Sequence, residues 1–350
     1  MSGIRVIVTG GAGFIGSSLV DSLVGKGVDV LVLDDLSRGS TQNLERAIAA
    51  GVRFELLDVR NGPAVTKEFI KFRPDYVFHM AGQIDVRLSM GDPALDASIN
   101  VLGSVNVFAA ARVAEVRRVV STSSGGAIYG ETSVVPTPET TPPDPISAYG
   151  LSKCTVERYA RWFNRSEGLD IVTLRYGNVY GARQNPVGDA GVIAVFCQRL
   201  LSGHPITIYG DGRQTRDYVY VADIAEANFA AAITPRLRNR EFNIGTGTEV
   251  SVLALAETIA AEAGIPACRL QLEFAPPRPG ELLRSCLDVS RARRELKLAP
   301  STPLAVGLAQ TIAWVRARAA TLTCNRGDQP RGQEREAVEM TGTGAATPRI

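Results

Sequence analysis

The chain has 350 residues, of which 45% are hydrophobic and 21% charged, with 34 glycines and 19 prolines. This composition provides a core for one large or two moderate domains and excludes a collagen, a coiled coil or wholesale disorder. Thirty-eight Lys and Arg against 36 Asp and Glu leave a net charge of +2, well below the basic excess that a nucleic-acid backbone demands, so no nucleic-acid partner is expected.

The N-terminal segment IRVIVTG reads as a strand with no basic leader before it, and no apolar run approaches the roughly 18 residues of a membrane span. No membrane partner is expected. From Ile4 to Arg175, apolar runs (IRVIVT, VDVLVLD, RFELLD, YVFHM, RRVVST, IVTLR) alternate with helix-length segments, among them Phe14 to Gly27 and Ala94 to Val113. Near-continuous Val, Ile and Leu imply strands buried on both faces, which predicts a doubly wound parallel α/β sheet, a Rossmann fold. Beyond Gly177 the rhythm breaks up around NPVGDAG and FAPPRPG. The expected organisation is a nucleotide-binding domain over 1–176 and a smaller α+β substrate-binding portion over 177–320, some segments of which return to the sheet. Residues 321–350 are polar, rich in breakers and charge-balanced, and are expected to form a disordered tail.

Five cysteines at 154, 197, 268, 286 and 324 never form C-x-x-C, as expected of reduced thiols in a cytoplasmic protein. With only His79 and His204 in the chain, no metal site is expected, and His79, ending an apolar strand, reads as a satisfied core residue. Cys154 reads as a packed thiol, and Tyr159, Trp162 and Phe163 as helix-face packing.

VIVTGGAGFIG joins the first strand directly to a helix. Its Gly10, Gly13 and Gly16, with Phe14 and Ile15 opening the helix, predict a pyrophosphate held by backbone N–H groups at a helix N-terminus. Asp34, followed by Asp35, ends the second strand eighteen residues after Gly16. A carboxylate there accepts ribose hydroxyls and repels a 2′-phosphate, which favours NAD over NADP; Arg38 is the one feature that suits the 2′-phosphate. Asp58, ending the third run, either meets the adenine amine or caps the next segment.

Tyr149 and Lys153 lie four apart and share a helix face, downstream of a strand whose C-terminal end carries Ser121 to Ser124. A free phenol is a poor base at neutral pH, and one cation at about 5 Å in a medium of effective dielectric ~20 is worth roughly 3 kcal/mol, or about two pKa units. Lys153, with a cationic nicotinamide ring, is therefore expected to poise Tyr149 as a base, and Ser124 to share the substrate proton.

Together with LDDLSRG, HMAGQIDVRLS, NVLGSVNV, SSGGAIYGE, RYGNVYGARQ, YGDGRQTRDYVYV and PPRPGELLRS, these segments resemble the extended short-chain dehydrogenases/reductases, most closely the bacterial UDP-glucose 4-epimerases, over roughly residues 4–318. The resemblance implies NAD as cofactor and 4-epimerisation of a UDP-sugar through a transient ketone, with Ser124, Tyr149 and Lys153 as the catalytic set. It implies that Leu36, Ser37, Arg38 and Gly39, Val59 beside Asp58, Ala81, Gly82, Gln83, Asn100 and Tyr176 join the cofactor site. It places Asn178, Val192, Tyr209, Arg216, Arg278, Glu281 and Ser285 on the substrate, with the two arginines on the diphosphate, Glu281 on the uridine ribose and Ser285 leaving room for a 2-acetamido group. It also suggests a homodimer formed through a helix pair. The nearest rivals are sugar-nucleotide 4,6-dehydratases and glucuronate decarboxylases, which need a carboxylate where SSGGAIYG offers glycine and alanine. A non-catalytic NAD-binding sensor is the rival of a different class.

Overall fold

The computed structural model describes residues 3–186, 191–278, 281–299 and 301–327. The first half runs β1 (Arg5–Thr9), α1 (Phe14–Gly25), β2 (Asp29–Asp34), α2 (Glu45–Ala49), β3 (Arg53–Leu56), α3 (Gly62–Phe72) and β4 (Tyr76–His79). Then come α4 (Val86–Gly91), α5 (Pro93–Ala97), α6 (Gly103–Val113), β5 (Arg118–Ser124), α7 (Gly125–Ile128), α8 (Ala148–Trp162) and β6 (Ile171–Tyr176). Local chemistry sets many of these boundaries. Asn61 caps α3 through Ala64 N, with proline in its first turn, and Ser147 caps α8 through Gly150 N.

Seven strands form one parallel sheet in the order β11-β6-β5-β4-β1-β2-β3, where β11 is Glu241–Ile244. The strand order reverses between β1 and β4, which opens a crevice at their carboxyl ends. Alternate side chains feed two cores: Val6, Val8, Val30, Val32 and Phe78 face one side, and Ile7, Leu31, Leu33 and Val77 the other. This is the doubly wound sheet the apolar runs predict. The third run differs, because β3 is an edge strand with three of its four residues exposed.

The stretch Pro93–Val113 has the mean hydropathy and length of a membrane span, yet it folds as three pieces. A π-helical turn over Ser98–Leu102 separates α5 from α6, and Val107, Phe108, Ala110 and Ala111 of α6 are buried in the sheet's second core.

The second half runs β7 (Asn178–Tyr180), α9 (Val192–Leu201), β8 (Ile206–Tyr209), β9 (Thr215–Arg216), β10 (Tyr218–Tyr220) and α10 (Val221–Ile233), then β11. It ends with β12 (Val250–Ser251), α11 (Val252–Glu262), β13 (Leu272–Ala275), β14 (Arg284–Ser285), α12 (Ser290–Leu296) and α13 (Leu304–Gly327). Ile193, Phe196, Ile206, Ile208, Leu255, Ile259, Leu308 and Ile312 make a separate core for this portion. Two of its segments rejoin the sheet: α10 packs on α1, and β11 pairs with β6 from Glu241↔Thr173 to Ile244↔Tyr176. The boundary expected at 320 falls within α13, and the rest of the expected tail, 328–350, lies outside the described residues.

Candidate active site

The glycine loop lies at the strand-order reversal. Gly10 has φ +68°, and a Cβ there would lie 2.5 Å from Ala81 N; one on Gly16 would lie 2.1 Å from the Gly10 carbonyl oxygen. Only glycine lets the loop fold back on the start of α1 this closely. α1 opens on Gly13 with no side-chain cap and no acid in its first turn, so its positive end and the N–H groups of Phe14, Ile15 and Gly16 face the crevice.

Asp34 is buried and accepts Ala12 N at 2.9 Å and Leu36 N at 2.8 Å, one on each oxygen, which ties the glycine loop to the turn after β2. Each oxygen keeps acceptor capacity for a ribose hydroxyl. Burial raises its carboxyl pKa, against the two backbone N–H bonds. Asp35 is exposed and accepts Ser37 N and Oγ. Leu36 takes a left-handed φ of +60°, and a Cβ on Gly39 would touch Ala12 at 2.9 Å. Arg38, the residue suited to a 2′-phosphate, turns to Asp85 at 3.4 Å. Asp58 is held by Arg60 at 2.6 Å; it does not cap α3, since Asn61 does. Val59 is buried, and its carbonyl accepts the Asn106 amide.

His79 sits in a directed chain. Ala81 N donates to Thr9 Oγ1, which lies 2.7 Å from His79 Nδ1; His79 Nε2 lies 2.8 Å from Ser104 Oγ, which donates to the Asn100 carbonyl. With Ser104's proton committed to Asn100, the imidazole carries its proton on Nε2. Burial pushes its pKa down to about 3, so it stays neutral and serves to fix the loop of Ala81, Gly82 and Gln83. Asn100 completes that fixing: its Oδ1 accepts Gln83 N and its Nδ2 donates to the Gln83 carbonyl, both at 3.0 Å.

β5, α7 and α8 bring Ser124, Tyr149 and Lys153 together. Ser124 lies beside the Tyr149 phenol and lowers its pKa, and Lys153 Nζ lies 5.7 Å from the Tyr149 ring centre and 3.4 Å from the Thr122 carbonyl. Buried Ser89 on α4 accepts Tyr149 N at 3.1 Å, fixing the first turn of α8. A Cβ on Gly82 would lie 3.3 Å from Lys153 Nζ and 2.8 Å from Asn100 Oδ1, so the cofactor loop abuts the lysine. Burial pushes Tyr149 up to about 12, against the lowering by Ser124, and pushes Lys153 down to about 8, against the field of Asp96. With the protein's own groups alone, desolvation dominates at the phenol, which is why the expected poise of Tyr149 includes the positive charge of a nicotinamide ring. Tyr176 hydroxyl meets Asn228 at 2.7 Å behind this cluster.

On the other wall, Asn178 Oδ1 and Ser285 Oγ each lie 3.9 Å from where a Cβ on Gly126 would sit, so both border the space beside Ser124. Arg216 on β9 pairs with Glu281 at 3.2 Å, so the carboxylate expected to face a ribose is here the partner of the arginine expected on the diphosphate. Arg278 stacks on Tyr209, 3.8 Å from the ring centre, and its hydrogen bond lowers the phenol pKa. Val192 begins α9 and packs against the second portion's core. Cys154 is buried with Ile128, Tyr129, Leu287 and Val289, and burial raises its thiol to about 11. Phe163 is buried, whereas Tyr159 and Trp162 are exposed, contrary to their expected packing.

Residues 6–245 match the NAD dependent epimerase/dehydratase family. The chain belongs to that family. Among its relatives is a UDP-glucose 4-epimerase of Mycolicibacterium smegmatis, 44% identical over 89% of this chain and 98% of the relative. A Thermotoga maritima UDP-glucose 4-epimerase solved with UDP-glucose superposes at TM-score 0.85, with 40% identity over 90% of this chain and all of that one. A Thermus thermophilus UDP-glucose 4-epimerase in complex with NAD superposes at 0.82, with 41% identity over 89% and 99% of the two chains. The glycine cradle, the open helix end and the Asp34 carboxylate fit the NAD for which this family is named.

Three groups at this family site carried no sequence signal: Asp96, Ser89 and the Glu157–Arg175 pair. Each lies in a segment whose apolar period explains it as ordinary helix or strand, and only the packing shows what it touches.

Proposed function

We propose that this protein interconverts UDP-sugars at C4 using NAD, with UDP-glucose and UDP-galactose as substrates and room for the 2-acetamido sugars. The observation that carries the reading is the meeting of Ser124, Tyr149 and Lys153 at the carboxyl end of β5, beside the glycine cradle and with no acid in Gly125, Gly126 or Ala127. Dehydration or decarboxylation needs a further acid or base at that wall. The 44% identical UDP-glucose 4-epimerase supports the same choice.

When bound, NAD supplies a hydride acceptor that is restored within each turnover, together with the extra positive charge that the Tyr149 phenol needs. Tyr149 takes the proton of the sugar 4-hydroxyl and returns it, Ser124 shares that proton, and Lys153 holds the phenolate. Arg216 and Arg278 grip the diphosphate, where a guanidinium fork suits two phosphate oxygens. Glu281 then leaves Arg216 for the uridine ribose, with Tyr209 and Val192 lining that end. Binding energy placed on the nucleotide leaves the sugar free to turn over between hydride removal and return. Asn178 and the small Ser285 leave space at the sugar.

NMR of the purified protein, without added NAD, should show UDP-glucose converting to UDP-galactose and UDP-GlcNAc to UDP-GalNAc. No turnover of any UDP-sugar sinks the enzyme reading, a 4-keto-6-deoxy or decarboxylated product sinks epimerisation, and conversion of plain hexoses alone sinks the 2-acetamido extension.

The exposed residues Leu102 just before α6 and Val113 at its end, and Leu151, Tyr159 and Trp162 on the adjoining α8, suit a homodimer joined through these helices. Sedimentation equilibrium should give twice the chain mass at micromolar concentration, and Trp162→Glu should shift it toward the monomer. A monomeric wild type overturns this assembly.

A further inference from the structure

We infer that Asp96 is the buried counter-charge of the Tyr149–Lys153 pair, a positioning residue that sets the pH range over which the pair works. The inference rests on the reading of Tyr149 and Lys153 as the proton-handling pair. Asp96 is 1% exposed, on α5, which packs directly on α8. Both of its hydrogen bonds fall on one oxygen: Oδ1 accepts Gln83 Nε2 and Asn100 Nδ2, each at 2.9 Å. The other oxygen, Oδ2, is buried and has no hydrogen-bond partner. A carboxylate in that position needs a cation to offset its loss of water.

Lys153 is the reciprocal case. Its ammonium is buried with one long contact, to the Thr122 carbonyl at 3.4 Å. Among the described residues, neither Lys153 nor Asp96 forms an ion pair with any other side chain. Two opposite charges on adjoining helices, each otherwise uncompensated, stabilise one another through space in a medium that screens poorly. Asp96 is the charged group that raises the Lys153 pKa against desolvation, and it raises that of Tyr149 as well.

Of the other charged groups on the elements packed about Asp96, Glu157 of α8 is held by Arg175 and Ser123, Arg158 is exposed and Arg161 pairs with Glu241. His79 on β4 is neutral, with a pKa near 3. Asp85 beside α4 is engaged by Arg38 and by Leu88 N, Asp92 caps α5 through Leu95 N, and Arg87 stands on α4. The π-helical turn Ser98–Leu102 carries no charge, and its Asn100 is the amide that Asp96 orients against Gln83. One carboxylate therefore both aims the two amides of the cofactor loop and supplies the field on the tyrosine and lysine.

Asp96→Asn tests this with little other change. The new amide keeps Oδ1 for both donors, and its nitrogen replaces an oxygen that had no partner. Loss of the negative charge lowers the pKa of both Lys153 and Tyr149, so the whole kcat–pH profile should move toward acid by about one unit or more. In the protein without substrate, the 13Cε resonance of Lys153, assigned through Lys153→Arg, should titrate at a lower midpoint by a similar amount. A folded variant with both the profile and the lysine midpoint unmoved overturns the inference. If Asp96→Asn does not fold, Asp96→Ser is measured in the same way, with the same two outcomes. A wild type without turnover, or a fully active Tyr149→Phe, overturns the underlying assignment of Tyr149 instead, so the two failures are told apart.

Discussion

Tyr149→Phe should lower kcat by about three orders of magnitude, within the range that a positioned proton-transfer group contributes, while NAD still binds. The phenol lies beside Ser124, and the ring keeps its place above the Lys153 ammonium, 5.7 Å from its centre. Phenylalanine fills the same space and leaves the glycine cradle, Asp34 and the His79 chain untouched. The variant should therefore have wild-type thermal stability and a wild-type NAD content by absorbance, with the loss confined to kcat. A comparable loss of bound NAD would mean that the hydroxyl holds the cofactor; activity within tenfold of wild type would remove Tyr149 from proton transfer. Ser124→Ala should cost less, because it removes one partner of the shuttled proton and leaves the base.

The sheet was legible because its information is local. Six strands are apolar runs, most of them rich in Val, Ile and Leu, and the glycine loop has a spacing that few other backbones need. What stayed hidden depends on tertiary neighbours. β11 is the short segment EFNI, too short to declare itself a central-sheet neighbour, and it becomes one because α10 brings the chain back across α1. The run RFELLD is apolar enough to suggest burial, yet β3 has a strand on only one side and so lies open. At the site, Tyr149, Lys153 and Ser124 were readable from their spacing and from the strand end, but the depth of their burial was not. Desolvation is set by α4, α5 and α8 closing over the phenol, and a coulombic argument from two residues at an assumed distance leaves that burial out. Asp96 was hidden for the same reason, a single acid in an apolar helix whose partners lie in other segments. The resemblance also placed both arginines on the diphosphate, whereas Arg216 of β9 is paired with Glu281, which lies in the loop before β14.

The largest stability effect expected in this chain is at Glu157. It lies one turn beyond Lys153 on α8, 2% exposed, facing Arg175 of β6, which is 1% exposed. Glu157 Oε1 accepts Arg175 Nε at 2.9 Å and Ser123 Oγ at 2.7 Å, and Oε2 accepts Arg175 Nη2 at 2.6 Å. Arg175 Nη1 donates to the Tyr129 hydroxyl at 2.7 Å, which donates onward to Asn243 of β11. This network links β5, β6, β11 and α8 directly behind the residues that carry the chemistry. Glu157→Leu leaves a guanidinium buried without its partner, which should cost about 3–5 kcal/mol as seen in denaturant midpoints. Adding Arg175→Met removes the stranded charge, and since an apolar pair of similar volume often replaces a buried ion pair at little cost, the double variant should recover most of the loss. Equal instability of the single and double variants would place the cost in packing rather than in the uncompensated charge. The double variant should still fall short in kcat, because Ser123, next to Ser124, loses the acceptor that fixes the end of β5.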